Sequence, residues 1–149
     1  MEINKKPVRL LRVTIAATLA QLIPLVILVA IITVYGYLAA PGQTQEIYEA
    51  FVKQAGKFTG PVAGTLATLG MAFWAARKQT NAWVLHGTLT GILVVILDLA
   101  IYASQPQNFD LTFGLGLPAK LLAGVLGGYL AKCRYQNLPP EARESHRLV

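Results

Sequence analysis

The chain's strongest constraint is that residues 13–38, "VTIAATLAQLIPLVILVAIITVYGYL", pass without one charged side chain. A helix of that length spans roughly 39 Å at 1.5 Å per residue, more than the roughly 30 Å hydrocarbon core of a bilayer. Three further apolar runs follow, at about 60–76, 83–103 and 112–131. The second, "GPVAGTLATLGMAFWAA", is the shortest and the richest in small residues. These runs leave little chain for a soluble core.

Composition agrees with that reading. The 149 residues are 54% hydrophobic and only 13% charged, where soluble domains carry about 25% charged residues. Mean hydropathy is +0.50. The expected fold is an all-α polytopic membrane protein, a bundle of four transmembrane helices in one membrane domain over 13–131. A basic N-terminal segment (1–12) precedes it and a polar tail (132–149) follows. The first run is too long for the apolar core of a secretory signal, and Pro41 follows the small residues at its end, so it is read as a retained helix.

Between the first two runs, "TQEIYEAFVKQAGKF" places Ile47, Phe51, Ala55 and Phe58 on one helical face, with Glu46, Glu49, Lys53 and Lys57 elsewhere around the wheel. That pattern predicts an extra amphipathic helix over about 44–58 lying on the membrane surface.

The net charge of +6 is a matter of topology. Of the 13 Lys and Arg residues, Lys5, Lys6, Arg9, Arg12, Arg77, Lys78, Lys132, Arg134, Arg143 and Arg147 fall on one side of a four-span arrangement. The other side has Lys53 and Lys57, offset by Glu46 and Glu49. The positive-inside rule then puts both termini in the cytoplasm, with a bacterial cytoplasmic membrane as the expected location. The basic residues form no aromatic-interleaved face, so nucleic acid is not an expected partner. Cys133 is the single cysteine, which excludes an intrachain disulfide.

Two charges interrupt the later runs: Asp98 in "ILDLAIY" and Lys120 in "GLPAKLLAG". Asp98 lies roughly 7 to 8 Å from the outer end of its run and Lys120 roughly 11 to 12 Å from that of its own. Helical side chains lean toward the N-terminus, so in antiparallel runs the two lean toward each other. An isolated charge at mid-membrane costs about 2.5 to 3.5 kcal/mol on insertion scales, and pairing offsets much of that. A salt bridge is therefore expected. It reads first as a lock on the register of the last hairpin, with an ion or proton site as the alternative.

Other polar residues are fewer. Gln21 and Pro24 share a stretch of the first run, where Pro24 predicts a kink and Gln21 is expected to bond to Thr65 or Thr68 of the second. His86 lies near the cytoplasmic end of the third, read as bonded to backbone or headgroup. Small-residue stripes predict close helix packing at Gly60 and Gly64, at Gly87 and Gly91, and at Gly116, Gly124 and Gly127. Pro61 and Pro118, Gly70 and Gly127, and Arg77 and Arg134 share one offset, a weak echo of duplication. Phosphate-loop, His-Glu-x-x-His and paired-carboxylate signatures are missing, so neither enzyme activity, metal nor cofactor is expected.

The resulting expectation is a non-enzymatic accessory, assembly or interaction subunit of a membrane complex, whose partners are the lipid bilayer and another membrane protein or a second copy of itself. The alternative is a small homo-oligomeric transporter or ion-conducting protein using Asp98 and Lys120.

Overall fold

The computed structural model describes residues 10–39, 41–77, 79, 82–104, 111–137 and 139. Among them are four α helices, α1 (Leu10–Val34), α2 (Gln45–Ala76), α3 (Trp83–Ala103) and α4 (Leu111–Gln136), and no strand. Residues 1–9 and the tail from 140 onward, with most of the predicted basic N-terminus, lie outside the described residues. Among the described residues, three segments are long and apolar enough to cross a membrane: Leu10–Ala39, Trp83–Ala103 and Leu111–Gln136.

The element between the first two apolar runs differs from expectation. In place of a surface helix over 44–58 and a separate span over 60–76, the structure has one continuous helix, Gln45–Ala76. The sequence offers no stop between them. Gly56 and Gly60 weaken a helix by up to about 1 kcal/mol each, which tertiary packing readily overrides, and Pro61 sits within the helix. Its 32 residues extend roughly 48 Å, so its charged first half reaches well beyond the apolar second half. Glu49 accepts a hydrogen bond from Gln45 Nε2 at 2.9 Å.

α1 runs unbroken through Pro24. Its α pattern changes only beyond Val34, in a π-helical turn over Tyr35–Ala39. There the Tyr35 ring stacks on Phe51 of α2, with centroids 3.7 Å apart and planes within 8°. The chain then reverses at Pro41 and Gly42; Gly42 takes φ +75°, a left-handed conformation that glycine adopts without a Cβ clash. Thr44 follows in an extended conformation, and its carbonyl accepts from Ile47 N at 3.1 Å to open α2.

The packing order follows from a few contacts. α1 is antiparallel to α2, with Arg12 against Trp74 at one end and Tyr35 against Phe51 at the other. α2 and α4 run parallel, with Pro61 against Gly116 and Leu69 and Ala72 against Gly127. α3 and α4 are antiparallel, joining Trp83 to Tyr135 at one end and Tyr102 to Phe113 at the other. α2 and α3 each touch all three other helices.

The distribution of side-chain size is inverted relative to a soluble protein. The buried hydrophobic residues are mainly alanines, among them Ala16, Ala17, Ala20, Ala72, Ala75 and Ala123. Leu25, Val26, Val29, Ile96, Ile101, Leu122 and Leu126 are exposed. Lipid tails are as apolar as leucine, so hydrophobicity gives helices no reason to associate there; close approach through small residues does. The threonines fit the same setting. Thr14, Thr18, Thr33, Thr68, Thr88 and Thr90 each donate the hydroxyl to the carbonyl four residues back, at 2.7 to 3.1 Å, which satisfies the group without water.

Candidate functional site

Asp98 and Lys120 meet. Lys120 Nζ lies 2.7 Å from Asp98 Oδ2, and both residues are only 8% exposed. The other carboxylate oxygen is held from α1: Gln21 Nε2 donates to Asp98 Oδ1 at 2.8 Å and also to the Val94 carbonyl at 3.1 Å. One carboxylate thus joins three helices. Its charge is balanced by an ammonium, and each oxygen has a donor, which is what makes a buried carboxylate tolerable.

This arrangement revises the expected role of Gln21. Thr68 donates its hydroxyl to the Gly64 carbonyl at 2.7 Å within its own helix, and the bonds of Gln21 Nε2 go to α3. The amide turns instead to the charged acceptor on α3, where a hydrogen bond is roughly twice as strong as between neutral groups.

α2 contributes an absence of side chain. A Cβ on Gly64 would fall 2.7 Å from Lys120 Cε, 3.1 Å from Nζ and 3.8 Å from Pro24 Cγ. Gly64 therefore makes room for the lysine side chain crossing from α4, and Pro24 borders the same space from α1. All four helices converge on the ion pair.

The pair is reached from a cavity of about 440 Å³ between α2, α3 and α4. Its walls include Gly56, Lys57, Gly60 and Pro61 of α2, Asp98 and Tyr102 of α3, and Thr112, Phe113, Gly116, Leu117 and Lys120 of α4. The Tyr102 and Phe113 rings stack at one side, 4.2 Å between centroids. Two lysines and one aspartate line the space, alongside two hydroxyls and a larger apolar area. Nothing in the sequence periodicity marks this cavity, because its residues come from three separated helices.

The glycine stripes serve different contacts. A Cβ on Gly87 would lie 2.6 Å from Gly128 N and also strike the Gly124 carbonyl, and one on Gly124 would lie 2.8 Å from Gly91 Cα. These glycines set the α3–α4 backbones in contact. Gly127 does the same against α2, where a Cβ would lie 2.6 Å from the Leu69 carbonyl, and Gly116 faces Pro61 at 3.6 Å. Gly60 departs from expectation: a Cβ there would meet nothing within 4 Å, since the residue lines the cavity. Gly128, one residue off the predicted stripe, is buried against Trp83 and Val84. The duplication echo has no counterpart in environment, because Gly70 is open where Gly127 is buried.

His86 is 1% exposed and stands apart from the pair, about 18 Å up the same helix. Its Nδ1 lies 2.8 Å from the Ala82 carbonyl. A carbonyl only accepts, so the proton sits on Nδ1.

The end of the molecule near His86 carries its own clamp. Arg12 Nη2 donates to the Trp74 carbonyl at 3.1 Å, and its guanidinium lies 4.5 Å from the centre of the Trp74 ring. Arg134 lies 5.9 Å from the centre of the Phe73 ring, and Trp83 packs on Tyr135 at 5.2 Å. The sequence places Arg12 and Arg134 among the basic flanks of the apolar runs without indicating these ring contacts. Among the described residues, no three His, Cys, Asp or Glu side chains gather as a metal site. No protein-family model, curated protein or solved structure matches this chain.

Proposed function

We propose that the protein is a four-span subunit of the bacterial cytoplasmic membrane, with both termini cytoplasmic, that acts as a non-enzymatic accessory or assembly component for another membrane protein or a second copy of itself. The observation that carries the reading is the state of Asp98. Both of its oxygens are engaged, by Gln21 and by Lys120, as befits a lock between helices.

The four-span count draws support from the course of α2. Its second half runs beside α4 from Pro61 to Phe73, over the same length on which α4 packs against α3. The basic residues Arg12, Arg77 and Arg134 lie at or next to one set of helix ends, as the positive-inside rule expects of a cytoplasmic face. Beyond Pro24, α1 leaves Leu25, Val26, Val29, Ile31 and Val34 uncovered around much of its circumference, an apolar surface available to lipid or a partner helix.

The test is a charge swap. Asp98→Lys with Lys120→Asp should restore folded protein and partner co-purification in mild detergent where each single change loses both. Folded single variants that retain a partner but lose proton-coupled flux in liposomes would replace this reading. That second reading, a small transporter or ion-conducting protein, is favoured by one observation: the cavity gives the ion pair a route to the end of the molecule bearing Tyr102 and Phe113.

A further inference from the structure

The parallel helices α2 and α4 keep level along their shared length. Pro61 faces Gly116 and Ala72 faces Gly127, the same separation in sequence, so Arg77 and Arg134 stand within roughly 3 Å of each other in height at one pair of helix ends. The Phe73 ring lies between them: the Arg134 guanidinium is 5.9 Å from its centre, and Arg77, four residues on, rises from the same face of α2. Both arginines are exposed. The carboxylates among the described residues, Glu46, Glu49 and Asp98, all lie toward the other end of the helices, so none of them neutralises either guanidinium.

Below the two arginines the surface is apolar. Val62, Leu66 and Phe73 share a stripe of α2 with Arg77, and Leu126 and Leu130 precede Arg134 at intervals of four on α4. α1 and α3 pack on the other side of the α2–α4 pair, through Gly64 against Pro24 and through Gly124 and Gly128 against the start of α3. The stripes are thus the walls of an open groove, and Val62, Leu66, Leu126 and Leu130 are all exposed. We propose that this groove holds one anionic glycerophospholipid, its phosphate accepting from Arg77 and Arg134 and an acyl chain lying between the two apolar stripes. Guanidinium forks match phosphate oxygens, and two positive charges favour a headgroup of net negative charge over one that carries a choline cation. The inference rests on α2 crossing the bilayer, as in the four-span reading.

The experiment is native mass spectrometry of the full-length protein in mild detergent, titrated with phosphatidylglycerol or with phosphatidylcholine of identical acyl chains. Expected is one phosphatidylglycerol bound roughly tenfold or more tightly than phosphatidylcholine, with that preference cut roughly fivefold by Arg77→Gln or by Arg134→Gln. Lys132→Gln removes the same charge from the opposite face of α4, two residues before Arg134, and should leave the preference intact. Either arginine provides the reading alone should the other variant not fold. Equal affinity for the two lipids, an equal loss in Lys132→Gln, or displacement of the lipid by soluble glycerol 3-phosphate as efficiently as by phosphatidylglycerol each overturns the groove. Maleimide labelling of the two ends of the chain separates this inference from the reading beneath it. Ends on one side of the membrane with no lipid preference sink the groove alone, whereas ends on opposite sides remove the α2 span on which it depends.

Discussion

The two oxygens of Asp98 belong to different helices: Oδ2 to Lys120 of α4 at 2.7 Å and Oδ1 to Gln21 of α1 at 2.8 Å. Lys120 is the stronger partner because it cancels charge, whereas Gln21 supplies only a dipole. Removing one member of a buried pair leaves the other uncompensated, a loss of about 3 to 5 kcal/mol. Lys120→Met should therefore destabilise by that amount, and Gln21→Leu by about 1 to 3 kcal/mol. Reversible unfolding of the purified protein in mixed micelles, followed by circular dichroism, checks both; a Gln21 variant as damaging as the Lys120 variant would contradict the ranking.

Gly64 and Gly87 are both buried, yet what each faces is different in kind. A side chain at Gly87 meets backbone of α4, 2.6 Å from Gly128 N, which cannot yield without moving a helix. A side chain at Gly64 meets Lys120 Cε at 2.7 Å, the end of a flexible chain. Gly87→Ala should cost about 1 to 3 kcal/mol through overpacking. Gly64→Ala should cost less, and its effect should vanish when Lys120 is already Ala. A double-mutant cycle in the same unfolding assay measures that coupling.

Arg12 touches Trp74 twice, through the backbone carbonyl and over the ring at 4.5 Å. Only the second contact depends on the indole. Trp74→Leu should thus forfeit a cation–π contribution of about 0.5 to 2 kcal/mol beyond the lost packing, and this extra loss should be absent in an Arg12→Gln background. Additive effects of the two substitutions would indicate that the ring contact contributes nothing.

Parity decides whether α2 crosses the membrane. With α2 as a span, an even number of crossings puts both termini on one side; with three spans they fall on opposite sides. Cys133, the single cysteine, stands in the last turns of α4 and is partly exposed. In intact cells, an impermeant maleimide should spare both Cys133 and, in a Cys133→Ser background, a cysteine placed at Lys5, and should reach both after permeabilisation. Labelling of one and not the other from the same side would establish three crossings.

The sequence alone determined the helical class and the apolar segments, because membrane solvation imposes a length and a composition that can be read residue by residue. It also determined that Asp98 and Lys120 would meet, since depth along each run, lean toward the N-terminus and a shared small-residue face are all local quantities. Tertiary structure decided the rest. Where the pattern suggested two elements around Phe58 and Gly60, the structure has one helix, which from Pro61 onward follows α4 at Gly116 and Gly127. Gln21 chose Asp98 over the threonines because three helices bring a charged acceptor within 2.8 Å, a proximity that no single helical wheel contains. Gly60 and Gly64, one turn apart and alike in sequence, ended in opposite surroundings, an open cavity wall and the flank of a lysine. Periodicity assigns a residue to a face. Only the assembled helices determine whether that face meets backbone, side chain or empty space.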